Sequence, residues 1–353
     1  MKTQALVRTT GMASIALALA AVASSGTASA QDTLVIYHQL SETQIIPVRE
    51  RFTEYYQKET GRSVEVADFF QPGGQLQSTI ILEARGDAVR ADVIIIPPDS
   101  LMTIAEAAPD LLGDYTPKSL DDPAVSPTVR AASLDAPGTI FNLAPYCIAY
   151  NTDKVTGDDI PDSWLDILDP KFKNQIGLGD VEQTGGARAP LWFLVKKQGE
   201  LGPPWGWAYY QELGKQEPRL YSGHGALTDD VSSGELSIGI LGYGGIMQAI
   251  TTGAPIALAL PEEGCGAQPT SIEIVKKAEG NPAAAAFIEW FLGKDGQQAM
   301  YDGTKAVPVR SDVTVAKPPF PFDPMSPKIQ PLESRWISEN MAENVAKFRE
   351  ALR

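Results

Sequence analysis

The chain has 353 residues, 43% of them hydrophobic, and a formal charge of −15. That charge makes nucleic acid and anionic lipid poor partners, although a local pocket can oppose the global sign. The length is large for one hydrophobic core and predicts two lobes.

Residues 1–30 read as a secretory signal peptide. Lys2 and Arg8 form a basic start, Met12 to Ala23 an apolar run, and Ala28-Ser29-Ala30 a small-x-small cleavage site before Gln31. The alternative is a membrane anchor, but the run is about half of the ~20 residues that a span needs. No Cys follows it to carry lipid. The mature chain would start near Gln31 and be exported. Loss of Lys2 and Arg8 takes its side-chain charge from −15 to −17. No later stretch is long and apolar enough to cross a bilayer, so no stable membrane insertion is expected. Cys147 and Cys265 both survive cleavage. In an oxidising compartment a lone pair favours a disulfide over a metal site, with two buried thiols as the alternative.

The elements alternate from the mature N-terminus onward. The stretch 33–40, TLVIYHQL, is a β-branched strand. Residues 45–61 form a helix whose apolar stripe is Ile45, Val48, Phe52, Tyr55 and Tyr56, stopped by Gly61. SVEVADF is a second strand and 74–86 a second helix. ADVIIIPP, 91–98, is apolar almost throughout, the pattern of a strand buried on both faces of a parallel sheet. A further strand covers 141–153. A short helix follows in DSWLDILDP, then a turn at Asp169-Pro170 and a strand ending in GLGD. Helical patterns follow at APLWFLVKKQG and around Trp205, Tyr209 and Leu213. Residues 225–245 read as helix, turn and strand, 254–261 as strand, and 281–303 as two helices joined by a turn. Such alternation predicts an α/β fold.

One loop stands out. In GLGDVEQTGGARAPLW, 177–192, Thr184-Gly185-Gly186-Ala187-Arg188 joins a strand to a helix. Adjacent glycines turn the backbone tightly and expose its N–H groups, and a helix start adds more, which suits an anion. The plainer alternative is that Thr184 caps the helix and the glycines make the turn.

Taken together, LVIYHQLSETQIIPVRERFTEYYQKETG, ADVIIIPPDSL, CIAYNTDKV with DSWLDILDPKFKNQIGLGD, VSSGELSIGI, and NPAAAAFIEWFLGKDGQQAM with AVPVRSDV carry a resemblance in their order and spacing. Over about 33–313 the chain resembles periplasmic solute-binding proteins of ABC importers. It is most similar to the cluster containing ferric-ion, thiamine, phosphonate and sugar-phosphate binders. The resemblance implies a two-lobed, type II binding-protein fold. Each lobe is a mixed, mostly parallel sheet flanked by helices, and two crossover strands near 144–150 and 255–260 join them. Lobe one would hold 31–143 and 261–353, and lobe two 144–256. It further implies a monomer in the periplasm that closes on its solute and delivers it to an inner-membrane ABC permease. Crossover strands run side by side in this architecture, so a Cys147–Cys265 bridge across the hinge is expected.

In such a protein the strand ends line the cleft. They supply Ser41 and Glu42 after the first strand, Asp99 and Ser100 after ADVIII, and the glycine loop after IGLGD. His224 and Tyr243 follow the last two strands of lobe two. In relatives the matching Ser/Thr-Gly stretch holds an anion. Here Thr184 would give a hydroxyl, Gly185, Gly186 and Ala187 their N–H groups, and Arg188 a bidentate fork. His224 would donate to the same anion and Tyr243 would stack on the ligand. Glu42 and Asp99 would hold an ammonium group. A basic side facing an acidic side suggests a zwitterion such as an aminophosphonate, or else a phosphorylated or carboxylated metabolite.

Relatives that bind ferric ion directly use two consecutive tyrosines after the last strand. This chain has Tyr243 followed by Gly244. A ferric ion or ferric chelate held through Tyr243 is therefore the alternative ligand. No organic cofactor and no enzyme activity are expected. The chain has two histidines and lacks a Gly-x-Ser-x-Gly elbow, a His-Glu-x-x-His helix, a Walker loop and a dinucleotide glycine run.

Overall fold

The computed structural model describes residues 31–304, 307–315 and 326–353. The leader read at 1–30 lies outside them. The first lobe opens with β1 (Asp32–His38), α1 (Glu42–Thr60), β2 (Val64–Phe70), α2 (Gly73–Arg85), β3 (Val93–Ile96), α3 (Pro98–Ala107) and α4 (Pro127–Ser133). The long strand β4 (Thr139–Asn151) leads into the second lobe. There the chain forms β5 (Ile176–Gly179), α5 (Arg188–Leu201), α6 (Trp207–Gly214) and β6 (Arg219–Tyr221). It continues through α7 (His224–Ser233), β7 (Ile238–Gly242), α8 (Tyr243–Thr251) and β8 (Ile256–Ala259). β9 (Cys265–Ile274) returns to the first lobe, followed by α9 (Pro282–Leu292), α10 (Lys294–Thr304) and β10 (Val307–Pro308). β11 (Ile329–Pro331) and α11 (Ser334–Ala351) come last.

The strands pair in the order β2-β1-β3-β9-β4-β7-β5-β6. β1 is parallel to β2 and β3, and β5 is parallel to β6 and β7. Two parallel blocks are thus joined through the antiparallel pair β4 and β9. β4 serves both: Thr139–Tyr146 pairs with β9, and Tyr146–Asn151 pairs with β7 and β8. This is the mixed α/β, two-lobed architecture of a type II binding protein. Cys147 of β4 and Cys265 of β9, 118 residues apart, are disulfide-bonded with Cα atoms 5.4 Å apart. The bond therefore ties the two crossing strands where the lobes meet.

The local signals behave as their chemistry requires. β3 is fully buried, as its unbroken apolar run predicts. On α1, Ile45, Val48, Phe52 and Tyr56 are buried, and Phe52 meets Phe287 of α9 edge-on at 4.9 Å. The short helix expected before Asp169 is instead a 3-10 turn at Asp166–Leu168. The Asp166 carboxylate accepts the N–H groups of Asp162 and Ser163, a side-chain alternative to helical bonding.

α11 spans both lobes. It packs against α3 of lobe one and α6 of lobe two. Phe348 lies edge-on to Tyr210 at 5.5 Å. Gly214 sits so close to the Ala351 carbonyl that a Cβ there would collide with it.

Candidate functional site

Between the lobes lies a cavity of about 710 Å³. Lobe one supplies Gln39 from the end of β1, Gly74 and Gln77 from α2, and Pro97, Asp99, Ser100 and Thr103 around the start of α3. The crossing strands supply Ala144, Tyr146, Gln268 and Thr270. Lobe two supplies Glu182, Gln183, Gly185, Gly186 and Arg188. Parallel β/α units explain the arrangement, because their loops gather at the C-terminal ends of the strands.

Asp180 organises the glycine loop. Its carboxylate accepts the N–H groups of Glu182 (2.8 Å) and Gln183 (3.3 Å), and its carbonyl accepts that of Thr184 (2.8 Å). Gly185–Ala187 then makes a 3-10 turn that runs into α5. Thr184 is buried and its hydroxyl caps nothing: Oγ1 has no hydrogen-bond partner. Among the described residues, no protein acceptor takes the N–H of Gly185 or Gly186. Ala187 departs from the expectation. Its N–H donates to the Thr184 carbonyl at 3.0 Å, so the turn consumes the group that the sequence offered to an anion. Gly185 faces open space, whereas a Cβ on Gly186 would fall on the Tyr146 ring. Only glycine lets the loop close over that ring.

Arg188 and Asp99 meet across the cleft. Arg188 Nη1 is 3.5 Å from Asp99 Oδ2, and Nε donates to the Val181 carbonyl at 3.3 Å. Burial pushes the Asp99 carboxyl above its ordinary range, and the guanidinium opposes that shift. Asp99 Oδ1 has no hydrogen-bond partner, and neither has Gln268 Oε1. The other charged side chain of the lining, Glu182, is paired with Arg349 of α11. The cavity thus carries internally paired charges together with buried polar atoms that lack protein partners. Such atoms are costly unless something satisfies them.

Six expected residues do not reach the cavity lining: Thr184 and Ala187 within the glycine loop, and four others. Ser41 caps α1, where its N–H donates to Gln44 Oε1 at 2.8 Å, and Glu42 begins that helix; both are exposed. His224 stands behind Tyr146, ring centroids 4.9 Å apart. Its Nε2 has no partner, and burial pushes its pKa down to about 4, so the ring is neutral at pH 7. Tyr243 is 5% exposed at the start of α8, and burial raises its pKa to about 12, helped by Tyr301. The phenol in the cavity wall is Tyr146, whose pKa desolvation also pushes up to about 12. Tyr146 escaped the sequence reading because it sits inside an apolar strand beside Cys147. Gln268 and Thr270 give no local signal either, since they enter the wall only through the pairing of β9 with β4. Among the described residues, no three His, Cys, Asp or Glu side chains converge as a metal set.

Residues 51–324 match the family model described as bacterial extracellular solute-binding protein. An uncharacterised protein of Haemophilus influenzae is 25% identical over 322 residues, covering 90% of this chain and 89% of its own. Two solved structures show the same fold. Iron-bound HitA from Pseudomonas aeruginosa aligns with a TM-score of 0.66 at 20% identity, covering 91% of this chain and 99% of its own. The periplasmic binding protein AfuA from Actinobacillus pleuropneumoniae, with fructose-6-phosphate bound, aligns with a TM-score of 0.66 at 19% identity, covering 92% and 99%. Among the described residues no helix is long and apolar enough to cross a membrane. The family and the fold are those of binding proteins rather than enzymes. The chain belongs to the family of bacterial extracellular solute-binding proteins.

Proposed function

We propose that the protein captures a small anionic or zwitterionic solute, of phosphonate, phosphate or carboxylate type, between its two lobes and delivers it to an inner-membrane permease. One observation carries this reading. The free N–H groups of Gly185 and Gly186 and the Arg188 side chain line a cavity of about 710 Å³, and the buried, unpartnered Thr184 hydroxyl precedes them in the same loop. Those donors are what an anion's oxygens require. Asp99 faces Arg188 from the opposite lobe, so a zwitterion would give its anion to the guanidinium and its ammonium to the carboxylate. An aminophosphonate fits that description. The proposal includes a monomer acting in the periplasm after loss of residues 1–30, with lobe one at 31–143 and most of 261–353 and lobe two at 144–256. Support for the boundaries is the change of partners along β4 at Tyr146. The ferric alternative rests on Tyr243 and draws no support from the cavity lining.

Thermal melting of the mature chain, unfolded and refolded to strip ligand, tests the reading. Against aminophosphonates, sugar phosphates and small carboxylates, a solute at a thousand times its Kd stabilises by about 4 kcal/mol, a shift of several degrees. Thr184→Ala and Arg188→Ala should abolish the shift. A rise with ferric citrate alone, removed by Tyr243→Phe, overturns the ligand assignment.

A further inference from the structure

α11 follows the return into lobe one in chain order, yet its anchors lie in lobe two. Phe348 packs on Tyr210, and the Ala351 carbonyl closes on Gly214. Lys347 Nζ stands 5.8 Å over the Trp207 ring, and Arg349 pairs with Glu182. Toward lobe one the helix meets α3, and Arg335 Nη2 reaches the Asp135 carbonyl at 3.4 Å. Between these attachments Ile337, Ser338 and Met341 line the cavity.

We propose that α11 is a lobe-two element forming a third wall of the solute cavity, and that Ile337 and Met341 select solutes with an apolar flank beside the anionic end. The choice of an anionic head rests on the proposed function; the wall itself does not. Two contrasts support it. The facing walls present amides and hydroxyls from Gln39, Gln77, Ser100, Gln183 and Gln268, whereas α11 brings a branched alkyl chain and a thioether beside the single hydroxyl of Ser338. A cavity of about 710 Å³ also far exceeds a bare oxyanion, given roughly 30 Å³ per water molecule in the liquid. Methionine suits such a wall because its flexible, polarisable chain adapts to varied apolar shapes. If α11 moves with lobe two, the α3–α11 contact is the surface that parts when the cleft opens.

Calorimetry of the stripped mature protein with methylphosphonate and phenylphosphonate tests the wall. The two share a head and differ in the flank. Phenylphosphonate should bind at least tenfold more tightly. Met341→Gln should bring that ratio close to one. Equal wild-type affinities, or a ratio that Met341→Gln does not move, overturn the selection. If neither probe binds, ligand-free hydrogen exchange decides the wall, and the melting screen decides the anion reading. Phe348→Ala, with Arg349→Gln as a milder variant, should speed exchange along both α11 and α3 at least tenfold while β1 and β3 keep their rates. Unchanged α3 exchange in both variants overturns the wall.

Discussion

The two sides of the cleft meet the same cavity with opposite chemistry. Lobe two offers backbone donors, Gly185 and Gly186, backed by the hydroxyl of Thr184 and the guanidinium of Arg188. Lobe one offers an acceptor, the carboxylate of Asp99, among neutral amides and hydroxyls. The donors are fixed by a loop that cannot hold a side chain at Gly186, whereas the acceptor rides on the first turn of α3. The difference teaches that donors and acceptor are divided between the lobes, so under the proposed function a solute would be fully satisfied only by both together.

Separating the sides should have the largest effect. The disulfide holds β4 to β9, the strands that align the walls, and closes a loop of 118 residues. Replacing Cys147 and Cys265 together by Ser should cost about 2–5 kcal/mol. Chemical denaturation checks this, and an unchanged midpoint would show that sheet pairing alone sets the alignment.

Breaking only the donor side comes next. Gly186→Ala drives a methyl into Tyr146, so the loop must lift, and solute affinity should fall about a hundredfold with a melting temperature several degrees lower. Gly185→Ala is its control: the site is open, and the melting temperature should stay within about a degree. Equal losses in both variants would mean that loop flexibility, rather than the packing on Tyr146, shapes the cradle.

Altering the acceptor side should matter less. Asp99→Asn keeps the shape of the side chain and removes its charge. For a zwitterion, affinity should drop about tenfold, the scale of one charge-assisted hydrogen bond. For a plain anion it should hold or rise, because Arg188 loses its competitor. Titration with an aminophosphonate and its des-amino analogue separates the two cases.

The pH dependence is the finest test. Burial holds the Asp99 carboxyl above its ordinary value of 3.8, so the folded protein binds this proton more tightly than the unfolded chain does. Its contribution to stability is therefore largest at acid pH and declines as pH rises from about 3.8 through the folded pKa. Asp99→Asn should flatten that decline in melting temperatures recorded between pH 3 and 8. A profile identical to the wild type would show that Arg188 fully compensates the buried charge.

Much of the fold was legible because it is written in short periods. The stripe Ile45, Val48, Phe52 and Tyr56 declared one face of α1, and the run Val93–Ile96 declared a strand covered on both sides. That Gly185 and Gly186 turn the chain ahead of a helix was legible for a similar reason, whereas the equally local alternative of a Thr184 cap is not what the structure shows. Ser41 and Glu42 misled because a strand end in lobe one looks the same whether it faces the cleft or starts a helix at its rim. In the structure, reciprocal capping with Gln44 occupies Ser41. Tyr243 was expected to stack on the ligand, yet packing of α8 buries it, and Tyr146 is the phenol in the wall.

The sequence by itself determined the α/β class and the glycine turn ahead of α5, because periodicity and turn chemistry are local properties, while chain length and family resemblance pointed to the pair of lobes. Only the tertiary structure decided that Asp99 meets Arg188, that Tyr146 rather than Tyr243 lines the cavity, and that α11 returns to line it. Those outcomes depend on strand pairing and helix packing between residues tens to hundreds of positions apart, and no short window of sequence encodes which distant surfaces will touch.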